Sequence, residues 1–394
     1  MNAELFRWAR ETAGLNLQAA AKALGVKATK LEAIEQGENE PSRPQLLNMA
    51  KIYRRPLVTF YLAKPPARGE RGEDFRTLPP DRTQADDAVL DALIRDVRAR
   101  QGLVRSLTED EDEAKPLRFI GSATMDDGVD AVLASIKKTL RLDLSEYRRQ
   151  GTSEKAFNYL RGQAESAGIF VLLMGNLGTH HSAIAVETFR GFAIADRFAP
   201  FVVINDQDAR TAWSFTLLHE IAHLWLGTSG VSGNSFEKAI ERFCNEVASA
   251  FLLPAAELDE LRVSNNLTAT LALITSFANA RFVSRRMVAY ALLKARRIER
   301  ATWQDFDAAL HKLWQKEKAA QKDKGRESES GPSYYVVRRH RLGTALLGFV
   351  ERSMGAGALT PVKAAKVLGV KPRSVYPLLM PTTVARLRGS GARG

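Results

Sequence analysis

The sequence predicts an α+β protein: a central mixed domain with a small sheet, flanked by all-α helix-turn-helix modules. Three observations predict it. The stretch Thr216-Leu-Leu-His219-Glu220-Ile-Ala-His223-Leu-Trp-Leu-Gly227 sets two histidines four residues apart in an apolar, helix-forming run. Two short apolar runs, 168–174 and 201–204, precede it and have the length and make-up of strands. The octapeptide Ala20–Lys27 recurs at Ala364–Lys371 with one change in eight, and each copy reads as a helix ending in a glycine turn.

The first 66 residues read as a bundle of short helices. Leu5, Trp8, Ala9 and Leu15 supply one apolar stripe. Leu17–Leu24, the turn at Gly25 and Ala28–Gln36 supply the helix-turn-helix, and a helix around Pro44–Tyr53 with the apolar Leu57–Leu62 closes the bundle. Residues 67–115 follow as linker and connecting helix. Pro65-Pro-Ala-Arg-Gly-Glu-Arg-Gly72 is linker by composition. Residues 83–110 carry Ala88, Leu90, Leu93, Ile94 and Val97 at helical spacing. Residues 116–315 form the central domain. Residues 316–333 are charge-rich and poor in apolar side chains, as a flexible linker is. Residues 334–394 form a basic helical module with the second octapeptide.

The chemistry is concentrated on the two-histidine helix. Residues i and i+4 share a helical face, so His219 and His223 can reach one metal ion, and Glu220 stands beside them as a general base. A catalytic zinc site takes three protein ligands and leaves one position open. After a Gly/Ser-rich turn at 227–235, a second helix carries Glu241, Cys244, Asn245, Ala248 and Leu252 on one stripe. Glu241 is the acid on that otherwise apolar face, and a metal is the partner that an inward carboxylate needs. Glu237, one turn earlier, is the weaker alternative. Cys244 reads as a core residue. Asn245 is placed to orient Glu241 or a histidine. His180 and His181 lie in a polar loop and are secondary candidates for a metal or substrate role. Trp213 and Trp225 read as core.

These residues resemble the ImmA/IrrE family of zinc metallopeptidases. The resemblance rests on His219-Glu-Ile-Ala-His223-Leu, on Glu241-x-x-Cys-Asn245-x-x-Ala-x-x-Phe-Leu-Leu-Pro254, and on the strand-like Phe189–Asn205 before the first helix. Phe243 departs from the family, many members of which carry a second acidic residue there. The resemblance implies a zincin-like fold, Zn2+ as cofactor, and a cytosolic protease whose substrates are helix-turn-helix repressors of phage, mobile-element or DNA-damage regulons. The N-terminal 66 residues resemble the XRE family of repressor DNA-binding domains. With it comes a second reading of function: a DNA-binding regulator or antitoxin-like sensor whose peptidase domain does not cut.

Totals bound the partners. The chain has 394 residues, one cysteine and a net charge of +12. No apolar run approaches the roughly 18 residues of a membrane helix, and the start Met1-Asn-Ala-Glu-Leu-Phe-Arg-Trp has no signal-peptide core. Both point to the cytoplasm and away from membrane. The charge sits at the ends: 11 Lys/Arg against 6 Asp/Glu in residues 1–68, and 11 against 1 in residues 331–394. This is the pattern of nucleic-acid contact. In the N-terminal module, Ala28, Thr29, Lys30, Glu32 and Ala33 open the second helix, with Glu32, Glu35, Glu38 and Glu40 crowding the same surface, where they would repel phosphates. They are poor base readers, so DNA reading, dimerisation and partner sensing stay open for it, a homodimer included. In the C-terminal module, Lys371, Arg373, Ser374 and Tyr376 are the candidate contacts to DNA or another nucleic acid.

Overall fold

The protein is described by a computed structural model covering residues 1–66, 84–110, 115–177, 183–228, 234–263, 266–310, 312–313 and 333–380. The expected linker at 316–332, the loop histidines His180 and His181, most of the linker before residue 84, and the side chain of Glu237 lie outside the described residues. The chain divides into two compact units.

The first unit comprises residues 1–99 and 175–189. Its helices are α1 (Ala3–Glu11), α2 (Leu17–Leu24), α3 (Ala28–Gln36) and α4 (Arg43–Ile52), followed by a 3-10 turn at Leu57–Tyr61. Each boundary has a local cause. Asn2 and Asn16 cap the N-termini of α1 and α2, and Ser42 with Gln45 makes a capping box at α4. Gly25 and Gly37 end α2 and α3 in the left-handed conformation that glycine adopts without strain. Phe6, Ala20, Leu31, Ile34, Met49 and Tyr53 are core, and Phe6 stacks on Phe60 with centroids 5.5 Å apart. Glu35 corrects one expectation. It is 5% exposed and accepts two hydrogen bonds from Arg10, at 2.7 and 2.9 Å, so it does not face a phosphate backbone. Its place on the apolar stripe of α3, one residue after Ile34, turned it inward. Helix α5 (Gln84–Glu109) is the expected connecting helix, and its last residues belong to the second unit.

The second unit holds α6 (Val129–Leu140), α7 (Leu144–Arg148), α8 (Ser153–Ser166), strands β1 (Phe170–Leu173), β2 (Gly191–Ile194) and β3 (Phe201–Ile204), then α9 (Arg210–Leu226) and α10 (Asn234–Leu252). Helices α11 (Leu267–Arg281) and α12 (Arg285–Lys294) follow, with α13 over residues 300–310. The sheet order is β1-β3-β2, with β1 parallel and β2 antiparallel to β3. Phe170 pairs with Phe201 and Phe192 with Val203. β1 and β3 are buried along their length, so they read as continuous apolar runs, whereas β2 at the sheet edge is half-buried. Helix α9 packs against β2, β3, α8 and α10 and is buried from Thr216 to Trp225, which is why its sequence is apolar on every face. Trp213 and Trp225 are core, as expected.

The C-terminal helices are α14 (Tyr334–Leu342), α15 (Thr344–Gly355), α16 (Pro361–Leu368) and α17 (Val375–Leu379). The sequence suggested a separate module. The structure instead groups them with the second unit, where α14 and α15 cover β1 and α15 packs on α8. A buried ion pair on α8 makes the joint. Arg161 Nε donates to Glu165 Oε1 at 3.0 Å, and both side chains are about 5% exposed. Arg161 also donates to the carbonyls of Val171, at 2.5 Å, and His340, at 2.5 Å. The other oxygen of Glu165 accepts from the Thr344 amide at 2.9 Å and from the Thr344 hydroxyl, at the start of α15. Gly343, with φ +80°, passes directly over this pair, where a Cβ would collide with both side chains.

Candidate metal centre

Three elements assemble the site. Helix α9 supplies His219, Glu220 and His223, and α10, packed along it, supplies Glu241. The far end of α9 is fixed by the segment before α6. The amides of Gly121 and Ala123 donate to the carbonyls of Leu224 and Trp225, each at 3.0 Å, and Phe119 stacks on Trp225 at 4.6 Å. The Leu224 carbonyl also accepts from the Gly227 amide at 3.2 Å, so both carbonyls at this buried helix end are satisfied. Gly227 ends α9 at φ +60°, and a Cβ there would lie 2.6 Å from Gly121 Cα.

The two imidazoles turn their Nε2 atoms toward each other at 3.1 Å. Glu241 Oε2 lies 3.4 Å from His219 Nε2, and Oε1 lies 3.3 Å from His223 Nε2. Two nitrogens and one carboxylate oxygen are a zinc donor set, and ligands bonded at about 2.0–2.1 Å to a tetrahedral ion stand about 3.3 Å apart. The observed separations, 3.1 Å between the nitrogens and 3.3–3.4 Å from each nitrogen to one or the other carboxylate oxygen, are of that size, and one ligand atom from each residue lies within 4.8 Å of the others. Among the described residues, this is the one group of three or more His, Cys, Asp or Glu side chains close enough to hold a metal. Burial opposes ionisation of Glu241, but hydrogen bonding and charge from His219 and His223 outweigh it and hold the carboxyl well below the usual carboxylate range. Glu241 is therefore ionised, as a metal-ligating carboxylate must be.

Glu220 is 3% exposed and turned toward the sheet edge. A Cβ on Gly191 of β2 would lie 2.8 Å from Glu220 Oε1 and 2.5 Å from Thr216 Cγ2. Glycine at that strand position is what lets α9 approach β2 with the glutamate in between. Sequence reasoning did not single out Gly191, although a glycine inside an apolar strand run is the signal of such an approach.

Asn245 does not meet its expected role. It is exposed and makes no hydrogen bond among the described residues. The four residues from Glu241 to Asn245 turn about 400°, roughly 40° past a full rotation, which carries Asn245 from the Glu241 stripe to the solvent edge. Thr228, just past the helix end, does contact the site: its Oγ1 lies 3.3 Å from His223 Nδ1. Nothing in the residue pattern announced it, because a turn following Gly227 folds it back. His219 Nδ1 is buried and has no hydrogen-bond partner among the described residues. Cys244 is fully buried in the core and is not part of the ligand group. Of the C-terminal candidates, Lys371, Arg373 and Tyr376 are exposed. Ser374 is only 9% exposed, tucked at the junction of a 3-10 turn and α17, and is removed from the candidate contacts.

Two parts of the chain match models of known families. Residues 165–293 match the family model of the IrrE N-terminal-like domain. Residues 3–59 match the model of a helix-turn-helix domain. The first span contains the whole sheet, α9 and α10, and the second contains α1–α4. The chain thus joins a metallopeptidase-like domain to a helix-turn-helix of the DNA-binding kind. No curated protein and no solved structure matches it.

Proposed function

We propose that this protein is a zinc-dependent endopeptidase. The observation that carries the reading is the triangle of His219, His223 and Glu241 with Glu220 buried next to it on the same helix. In this reading the three ligands hold Zn2+, with the neutral imidazoles and the ionised Glu241 as donors. A bound zinc ion would supply Lewis acidity, polarising the scissile carbonyl and making water acidic enough to ionise near neutrality. Glu220 takes a proton from the attacking water as its oxygen bonds to the carbonyl carbon. It then gives that proton to the amine nitrogen as the C–N bond breaks. Packing between α9 and Gly191 holds the Glu220 carboxylate, and Thr228 holds His223 with Nε2 turned to the other donors. A domain that only bound its partner would have no use for Glu220. The proposed substrate is a helix-turn-helix transcriptional repressor. Its support is the resemblance to the ImmA/IrrE proteases together with a helix-turn-helix domain in the same chain.

Two measurements test this. Elemental analysis of the purified protein is expected to give one zinc per chain, lost in His219→Ala and His223→Ala. Equal zinc in both variants and the parent would remove the site. Co-expression with candidate repressors is expected to yield cleavage fragments that Glu220→Gln abolishes while keeping its zinc. The amide preserves the shape of the side chain but cannot accept the proton. Undiminished cleavage by a zinc-loaded Glu220→Gln chain would exclude Glu220 as the base.

A further inference from the structure

The C-terminal helices contain charges that the fold does not use. Residues 331–394 hold 11 Lys/Arg and a single acid, Glu351. Some of the arginines are structural. Arg338 donates to the Gly369 carbonyl at 2.6 Å, at the end of α16. Arg339 donates to the carbonyls of Leu378, at 2.9 Å, and Pro377, at 2.8 Å, at the end of α17. Arg341 pairs with Asp206 at 2.6 Å. Arg338 and Arg339 thus cap helix ends that would otherwise present bare carbonyls, and Arg341 is taken up by an acid.

Lys363, Lys366, Lys371 and Arg373 behave differently. All four are exposed, and none forms an ion pair among the described residues. Elsewhere in the same unit some surface cations have acids beside them, as in Arg149–Glu146, Arg286–Asp307 and Lys294–Glu246, and others such as Lys137, Lys138 and Lys155 do not among the described residues. The C-terminal helices differ in that Glu351 is the one acid among their 11 Lys/Arg. Uncompensated like charge on a small helical surface repels itself, and an anionic partner relieves that cost.

The backbone beneath these cations indicates the partner. The turn of the second octapeptide repeats that of the first. Gly25 has φ 69° and ψ 32°, and Gly369 has φ 60° and ψ 41°. Lys27 has φ −69° and ψ 145°, and Lys371 has φ −76° and ψ 147°. The first copy lies within the matched helix-turn-helix domain. The second differs in its following helix. Where α3 runs for nine residues, the C-terminal copy has a 3-10 turn at Pro372–Ser374 and then only five residues of α17, with Pro377 among them. A helix that short cannot lie along a major groove and read several bases. Its cations can still meet phosphates, which fix position without reading sequence.

We infer that Lys363, Lys366, Lys371 and Arg373 form a second nucleic-acid surface, a truncated helix-turn-helix that grips the phosphate backbone of duplex DNA with little regard to sequence. This is independent of the peptidase reading. Tyr376, 55% exposed beside these residues, adds a hydrogen-bonding hydroxyl.

The test uses the full chain and a fluorescent duplex of arbitrary sequence, with anisotropy read at several salt concentrations. Each phosphate neutralised contributes about −0.9 to the slope of log K against log salt. In a chain already carrying Lys27→Ala and Lys30→Ala to weaken the N-terminal module, adding Lys363→Ala, Lys366→Ala, Lys371→Ala and Arg373→Ala is expected to flatten the slope by about 3.6 and weaken binding at least tenfold at low salt. Replacing the three lysines by arginine is expected to keep both, which separates charge from folding. Unchanged slope and affinity in the alanine chain would overturn the inference. So would charge-dependent binding to anionic phospholipid vesicles by a chain that does not bind the duplex.

Discussion

At residues 20–27 the turn glycine, Gly25, has nothing within 4 Å of where a Cβ would stand. At residues 364–371 the matching Gly369 is pressed onto Arg100, whose guanidinium occupies the place of that Cβ. The one residue that differs between the octapeptides follows the same contrast. Ala23 is exposed, while Val367 is 0% exposed. Both copies belong to units with a buried Arg–Glu pair, but the pairs hold different things. Arg10 and Glu35 join α1 to α3 within a self-contained bundle, whereas Arg161 and Glu165 clasp the C-terminal helices to the sheet. The same local sequence is thus an open turn in one unit and a packed joint in the other. What differs is the surface it meets.

The comparison can be broken at the joint. Arg161→Ala leaves Glu165 buried without its cation and removes the bonds to the carbonyls of Val171 and His340. Breaking one partner of a buried pair costs about 3–5 kcal/mol. The second unit is expected to melt markedly earlier by calorimetry, with the N-terminal unit unchanged. If the melting of the second unit does not move, the clasp does not hold these helices.

A finer probe is the same change at both glycines. Gly25→Ala meets only left-handed strain, about 1–2 kcal/mol. Gly369→Ala meets that strain and the Arg100 guanidinium, so it should cost roughly 1–3 kcal/mol more, as overpacking does. Denaturant midpoints of the two variants should differ in that order. Equal losses would mean that the Arg100 contact is incidental. The smallest effect concerns the single difference in the repeat. Val367→Ala removes two buried methyl-sized groups, worth about 1.6 kcal/mol. The reciprocal Ala23→Val is at an exposed helix position and should stay within about 0.5 kcal/mol. A loss from Ala23→Val as large as that from Val367→Ala would erase the distinction.

Much of this architecture is legible in the residue pattern. Helical spacing put His219 and His223 on one face, and the inward stripe of the next helix selected Glu241; both are properties of a 3.6-residue period and need no tertiary information. The α+β class followed from the short apolar runs at β1 and β3, and both glycine turns followed from Gly25 and Gly369. The pattern erred where a residue sits at the edge of a stripe. Glu35 was read as a surface acid and is a buried partner of Arg10. Asn245 was read as inward and is exposed. Ser374 was read as a contact and is covered.

What the sequence by itself determined is therefore periodic and local: helix faces, helix ends, turn conformations, and the residues of the metal triangle one helical turn apart or on a facing stripe. Only the tertiary structure decided which charges are spent inside and which remain outside. Arg338 and Arg339 cap α16 and α17, and Arg161 holds the C-terminal helices to the sheet, whereas Lys363 and Lys371 stand free of ion pairs among the described residues. It also decided that Gly191 makes room for Glu220 and that Thr228 reaches His223. The physical reason is common to all of these. A side chain's burial and its partner depend on what packs against it from distant segments, and no period in the local sequence encodes that neighbour.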